Sequence, residues 1–165
     1  MEVEPPLFSW IIILINVIIG FMTKKLFPNE NIIISEHFDV HQDWEVPIPA
    51  FFIMASIRKI KSIDEFTDEE ASEFINLLRK IRKGMREVLN IKDVYLFQNE
   101  DSEHGFHLWI FPRHDWMDEF GKKIQSVRPI IEHAKSEMLD ESTINEVKEA
   151  AQKIKAYMSE FKKDF

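Results

Sequence analysis

Between residues 67 and 90 the apolar positions recur at spacings of three and four. Phe74, Leu77, Leu78, Ile81, Met85 and Val88 form the series, and Arg79, Lys80, Arg82, Lys83 and Arg86 fall mostly elsewhere. That period predicts an amphipathic helix with one apolar stripe. Thr67 followed by Glu70 predicts its start as a capping box, in which each side chain satisfies a free backbone donor of the first turn. The segment HGFHLWIFPRH at 104–114 alternates instead. Phe106, Leu108 and Ile110 point to one face of a strand, and Gly105, His107 and Trp109 to the other. Farther on, residues 129–139 predict a short helix, and Thr143 with Glu146 predicts a second capping box. Ile144, Val147, Ala151, Ile154, Met158 and Phe161 form the seam of the helix that follows. The seam lasts under three heptads, so it suits packing on the same domain better than a coiled coil. No internal repeat and no low-complexity tract interrupts the pattern.

The pattern fails only at the beginning. From Leu7 to Met22 the chain reads LFSWIIILINVIIGFM, with Ser9, Asn16 and Gly20 the only interruptions. As a helix this run spans ~24 Å against a hydrocarbon core of ~30 Å, so it is short for a membrane span. Glu2 and Glu4 before it, and the lack of a small-residue cleavage site after it, make it a poor signal peptide. Three readings stay open: a membrane anchor, an extra buried helix, or an extension ahead of a true start at Met22. Were it an anchor, Lys24 and Lys25 would favour a cytoplasmic carboxyl side, tethering a cytoplasmic domain to the membrane. The chain then divides into this hydrophobic segment at 1–23, a core at 28–117 and a helical extension of the same domain at 118–165.

Composition narrows the chemistry. A chain of 165 residues, 45% hydrophobic and with fourteen Phe, supplies one compact core. Its net charge of -8 argues against a broad basic surface, hence against a nucleic acid polymer as partner, while leaving room for a small nucleotide held by local donors. With no cysteine, disulfides, thiol catalysis and thiolate metal sites are excluded. His104 with His107, and His37 with His41, have spacings usable by a metal. Without Cys or an HExxH pattern they assign no metal or cofactor.

The strand 104–114, with its Pro112-Arg113 ending, resembles the active-site strand of the histidine-triad superfamily of nucleotide hydrolases and transferases. The resemblance runs from about Asn29 to Met117. Strands over 32–40, a Pro-rich turn, an apolar strand over 51–56, basic Arg58 and Lys59, the capped helix and a strand over 94–98 come in an order similar to that family's. It implies an α+β fold with a mainly antiparallel sheet backed by helices, extended here by the C-terminal helical pair. It also implies a small nucleotide substrate, of diadenosine polyphosphate or nucleoside phosphoramidate type, and a homodimer.

Aligned on Ile110, Phe111, Pro112 and Arg113, His107 takes the place of the family's middle histidine. The resemblance makes it the nucleophile that attacks the α-phosphorus and carries a nucleotidyl-histidine. Gly105 and Trp109 occupy the first and third histidine places. Nucleophilic catalysis needs a neutral imidazole with one nitrogen held by a hydrogen bond, and the Gly105 carbonyl is the expected acceptor. Trp109 donates one N–H and accepts nothing, so proton delivery to a leaving group falls to His104 or His114. A bulge at Gly105 would swing His104 toward the vacant first place. Ser102 matches a phosphate-binding Ser or Thr of the family, and Asn99 an Asn ahead of that loop, although Glu100, Asp101 and Glu103 crowd it with negative charge. Arg113 or Arg58 is expected to offset those acids. Ala50 and Phe51 replace the family's Gly-His pair, and His41, Gln42, Asp43 and Trp44 fall near the base and ribose. The rival function is a catalytically impaired nucleotide- or protein-binding module of the same fold. Its motivation is the loss of two of the three histidines.

Overall fold

The computed structural model describes residues 25–161, and the apolar run from Leu7 to Met22 lies outside them. Five strands form one antiparallel sheet: β1 (Asn31–Ile34), β2 (Phe38–Gln42), β3 (Phe52–Ser56), β4 (Val94–Phe97) and β5 (His107–Pro112), in the spatial order β1-β2-β3-β5-β4. Among the described residues three α-helices accompany it: α1 (Asp68–Leu89), α2 (Val127–Glu137) and α3 (Glu141–Ser159). This is the α+β architecture expected from the sequence. Among the described residues no helix is long and apolar enough to cross a membrane.

Strand alternation sorts the side chains onto two faces, each with its own core. Phe38, Val40, Phe52, Met54, Leu108 and Ile110 pack with α1 and α3 on one. On the other, Phe51, Ile53 and Phe111 meet Val46, Ile48, Met117 and the α2 residues Val127, Ile130 and Ala134. That second core covers only part of its face, because α2 is short. The uncovered remainder is where the site lies.

Helix α1 begins as its sequence predicts. Thr67 accepts from the Glu70 N–H at 3.2 Å and Glu70 accepts from the Thr67 N–H at 2.8 Å. At its other end Asn90 turns left-handed (φ 54°), and Ile91 returns to the core through its N–H on the Met85 carbonyl. Val88, assigned to the buried stripe, is 40% exposed, since Ile91 closes that end of the core instead. The start of α3 is also corrected. Its cap is Asp140, whose carboxylate accepts from the Thr143 N–H at 2.9 Å and from the Thr143 hydroxyl at 3.0 Å. Thr143 is thus the third helical residue, and a carboxylate is the stronger acceptor for the free donors there. Ala50, buried ahead of β3, has φ 63°, a conformation that glycine adopts without strain.

Arg58 grips Glu70 with Nε at 2.8 Å and a terminal nitrogen at 2.7 Å. The Arg58 guanidinium is the main cause, with the Thr67 N–H second, that the Glu70 carboxyl is held down at about 2. A depressed carboxyl stabilises the fold above its unfolded value of 4.5, and that contribution is lost as pH falls toward 2. Wild type should therefore lose stability more steeply between those limits than Arg58→Met does. Equal slopes in urea titrations across that range would show that the pair carries no such linkage.

Candidate active site

The exposed part of the sheet face forms a cavity of about 340 Å³. Its floor is Ile53 and Ala55 of β3 with His107 and Trp109 of β5, its entrance holds His104 and Gly105, and His41 of β2 with Asp43, Trp44 and Glu45 just after that strand form the wall. Register explains the assembly: His41 pairs with Ile53, Ile53 with Trp109 and Ala55 with His107, so these side chains lie in rows across three strands.

His107 Nδ1 is 2.9 Å from the Gly105 carbonyl oxygen. A carbonyl only accepts, so Nδ1 carries the hydrogen and Nε2 keeps its lone pair. Among the described residues nothing bonds to that Nε2. The chain holds Gly105 in place on both sides. Phe106 donates its N–H to the Ile60 carbonyl at 2.6 Å and accepts from the Ser56 N–H at 3.1 Å. A Cβ added at Gly105 would stand 3.1 Å from the Ile60 oxygen, so a side chain at this first place requires that carbonyl to give way. His104 is exposed, with its ring 6.1 Å from that of His107 and nearly perpendicular to it.

Trp109 packs edge-on to Phe51 at 5.2 Å and tilted on Phe97 at 5.1 Å. Its position beside His107 follows from alternation, but the aromatic neighbours are Phe51, just ahead of β3, and Phe97 of β4, and were invisible in the strand's own sequence. The wall after β2 is an aromatic stack in which His41 lies 4.5 Å from Trp44 with rings nearly parallel. Lys25 Nζ stands 3.1 Å from the Trp44 ring centre, and the Leu26 N–H donates to the Trp44 carbonyl.

Three predicted site residues are placed elsewhere. Arg113 turns its guanidinium to the Asp118 carboxylate at 3.0 Å and the Gly121 carbonyl at 3.0 Å, lining a separate polar cavity of about 590 Å³ with Asn90 and Asp93. Its side chain is 8% exposed, so it braces the turn after β5. Asn99 is exposed and bonds Asp101 at 2.7 Å, and the Ser102 hydroxyl is buried without a hydrogen-bond partner; neither lines the His107 cavity. Of the auxiliary candidates, Arg58 is held by Glu70, and His114 Nε2 donates to the Pro49 carbonyl at 2.8 Å. Burial lowers the His114 pKa, opposed by that bond. No sequence signal marked Glu45, which reaches Lys135 of α2 at 3.0 Å across ninety residues.

The cavity is acidic. Among the described residues no Lys or Arg lines it, whereas Asp43 and Glu45 do. Burial raises the Asp43 carboxyl, against the lowering effect of the Glu45 and Val46 N–H donors. Among the described residues no three His, Cys, Asp or Glu side chains converge as a metal site.

Comparison with known proteins places the fold. No protein-family model matches the sequence, and no curated protein matches it. Solved structures do. A zinc-bound histidine triad family protein from Mycobacterium smegmatis superimposes with a TM-score of 0.55 at 13% identity, over 92% of this chain and 96% of that one. A hypothetical histidine triad nucleotide-binding protein from Sulfolobus tokodaii gives 0.55 at 12% identity over 90% and 93%. The diadenosine triphosphate hydrolase of Plasmodium falciparum, solved with Cyclomarin A, gives 0.54 at 18% over 81% and 78%.

Proposed function

With the histidine-triad fold as its scaffold, we propose that this chain is a nucleotide phosphohydrolase or nucleotidyl transferase acting through His107. The observation that carries the reading is the Nδ1–Gly105 hydrogen bond, which fixes the nucleophilic tautomer without a first histidine. Nε2 attacks the α-phosphorus, forming an N–P bond as the bond to the leaving group breaks. Water then cleaves the N–P bond, releasing the nucleoside monophosphate and restoring the neutral imidazole. His104 is the side chain near enough to pass a proton to or from the departing group. The His41–Trp44 stack offers an aromatic surface for a base, and Asp43 an acceptor for ribose hydroxyls.

Intact mass spectrometry after incubation with a panel of adenylated substrates tests this. A covalent nucleotidyl adduct is expected, and its absence across the panel would remove the nucleotidyl-histidine from the account.

One feature favours a second reading, a binding module that has lost catalysis: Trp109 fills the third place with a side chain that cannot relay a proton. Trp109→His separates the two. The enzyme reading expects turnover to fall, because Phe51 and Phe97 lose the ring that shapes the floor. A disabled module would gain activity from the restored histidine. No change in binding or rate would make Trp109 a packing residue alone.

A further inference from the structure

Trp109 cannot relay a proton, and on the His107 side of the sheet a buried carboxyl oxygen lacks a partner. Asp39 and His41 alternate along β2 with the core residues Phe38 and Val40, so both face the cavity side. Asp39 pairs with Ala55, and Ala55 with His107, which places the three in one row across β2, β3 and β5. Two strand spacings, about 10 Å, separate the outer backbones of that row. Only the methyl group of half-exposed Ala55 stands between them. Asp39 Oδ1 is buried and has no hydrogen-bond partner among the described residues. Its cross-strand neighbours, Ala55 and Ile34 of β1, carry no polar side-chain atom.

We propose that Asp39 is a second proton donor of the reaction, acting on the leaving group from the side of phosphorus opposite His107. The proposal rests on the nucleotidyl-histidine reading and adds to it. In-line attack by Nε2 sends the leaving atom directly away from His107, and a phosphoryl group seated over Ala55 aims that atom at Asp39. His104 stands beside His107, ahead of β5, whereas Asp39 comes from β2. As the N–P bond forms, the bond from phosphorus to the leaving atom breaks, its electron pair stays with that atom, and the Asp39 proton follows. Water then attacks phosphorus from the vacated side, gives a proton to the Asp39 carboxylate and returns the N–P electron pair to Nε2. The role needs a carboxyl that holds its proton. Burial pushes the Asp39 carboxyl up, opposed by His41. A neutral acid also suits a buried oxygen without a partner, and it spares the phosphate a further negative charge beside Asp43 and Glu45.

The test uses the full chain and two adenosine 5′-monophosphate derivatives that differ only in the group on phosphorus. p-Nitrophenolate departs without a proton, whereas benzylamine must be protonated to leave. In a single turnover, Asp39→Asn should slow the release of benzylamine at least ~10²-fold more than that of nitrophenolate, the usual worth of a positioned acid. Asp39→Ala should show the same split, because a packing role would slow both substrates alike. Equal losses on the two compounds, or no loss on the benzylamine compound, overturn the proposal. So does a split produced by His104→Ala and by neither Asp39 variant. Adduct formation by wild type from the nitrophenyl compound is scored first, since it requires no proton donor. Without that adduct the His107 reading fails and takes this proposal with it; with the adduct and no split, Asp39 alone fails.

Discussion

Replacing His107 with alanine is expected to abolish the covalent nucleotidyl adduct and to cut turnover by at least ~10³-fold, the scale on which losing a covalent nucleophile is felt. His41 also lines the cavity with Nδ1 2.9 Å from a backbone carbonyl, that of Gln42, but it is buried and its ring is stacked on Trp44. His104 is exposed and has no carbonyl fixing its tautomer, and His114 is committed to the Pro49 carbonyl. The fold should survive, because His107 is only partly buried and makes one side-chain hydrogen bond, to Gly105. Circular dichroism and a urea midpoint close to wild type would confirm that. His107→Gln sharpens the test: its amide N–H can still donate to the Gly105 carbonyl, but an amide is no nucleophile, so it should be as inactive as alanine. Hydrolysis of the same substrates at wild-type rates by either variant would show that another group attacks phosphorus.

Phe106→Ala should destabilise the protein by ~3–5 kcal/mol, the usual cost of removing a buried aromatic ring from a packed core. Phe106 is 2% exposed, and its ring meets Phe66 at 4.8 Å and Phe74 at 5.7 Å, while Phe38 touches the same two rings from β2. The cluster ties the start of β5 to α1. It therefore supports the site as well as the core, since Gly105 is positioned by the Phe106 bonds to Ile60 and Ser56. Activity per folded molecule should fall too, because the carbonyl that fixes the His107 tautomer loses its anchor. A loss of stability below ~1 kcal/mol would mean that the site collapses around the missing ring or that the cluster packs differently.

Much of this molecule can be read locally. The Thr67–Glu70 capping box and the spacing of Phe74, Leu77, Leu78, Ile81 and Met85 define α1 and its buried stripe because helix geometry is set by residues three and four apart. Alternation along 105–110 assigns His107 and Trp109 to one face and Phe106, Leu108 and Ile110 to the core, since strand geometry fixes the side-chain period at two. The Gly105 carbonyl lies within reach of His107 Nδ1 for a local reason too, two residues back along the extended chain leading into β5.

What the sequence leaves open depends on which elements meet. Arg113 reads as a phosphate-facing residue from its place after Pro112, yet the turn carrying Met117, Asp118 and Gly121 folds back and claims its guanidinium. Asp140 rather than Thr143 caps α3, with Thr143 three residues on donating its N–H and hydroxyl to the Asp140 carboxylate. The acid-lined cavity and the aromatic partners of Trp109 draw on residues from His41 to Trp109. Local periodicity decided the helix, the strand faces and the carbonyl beside His107, because those follow from backbone geometry over a few bonds. Only tertiary packing decided which charges stand around the His107 cavity, because a side chain commits to the partner that folding brings within about 3 Å of it, and sequence spacing does not encode that distance.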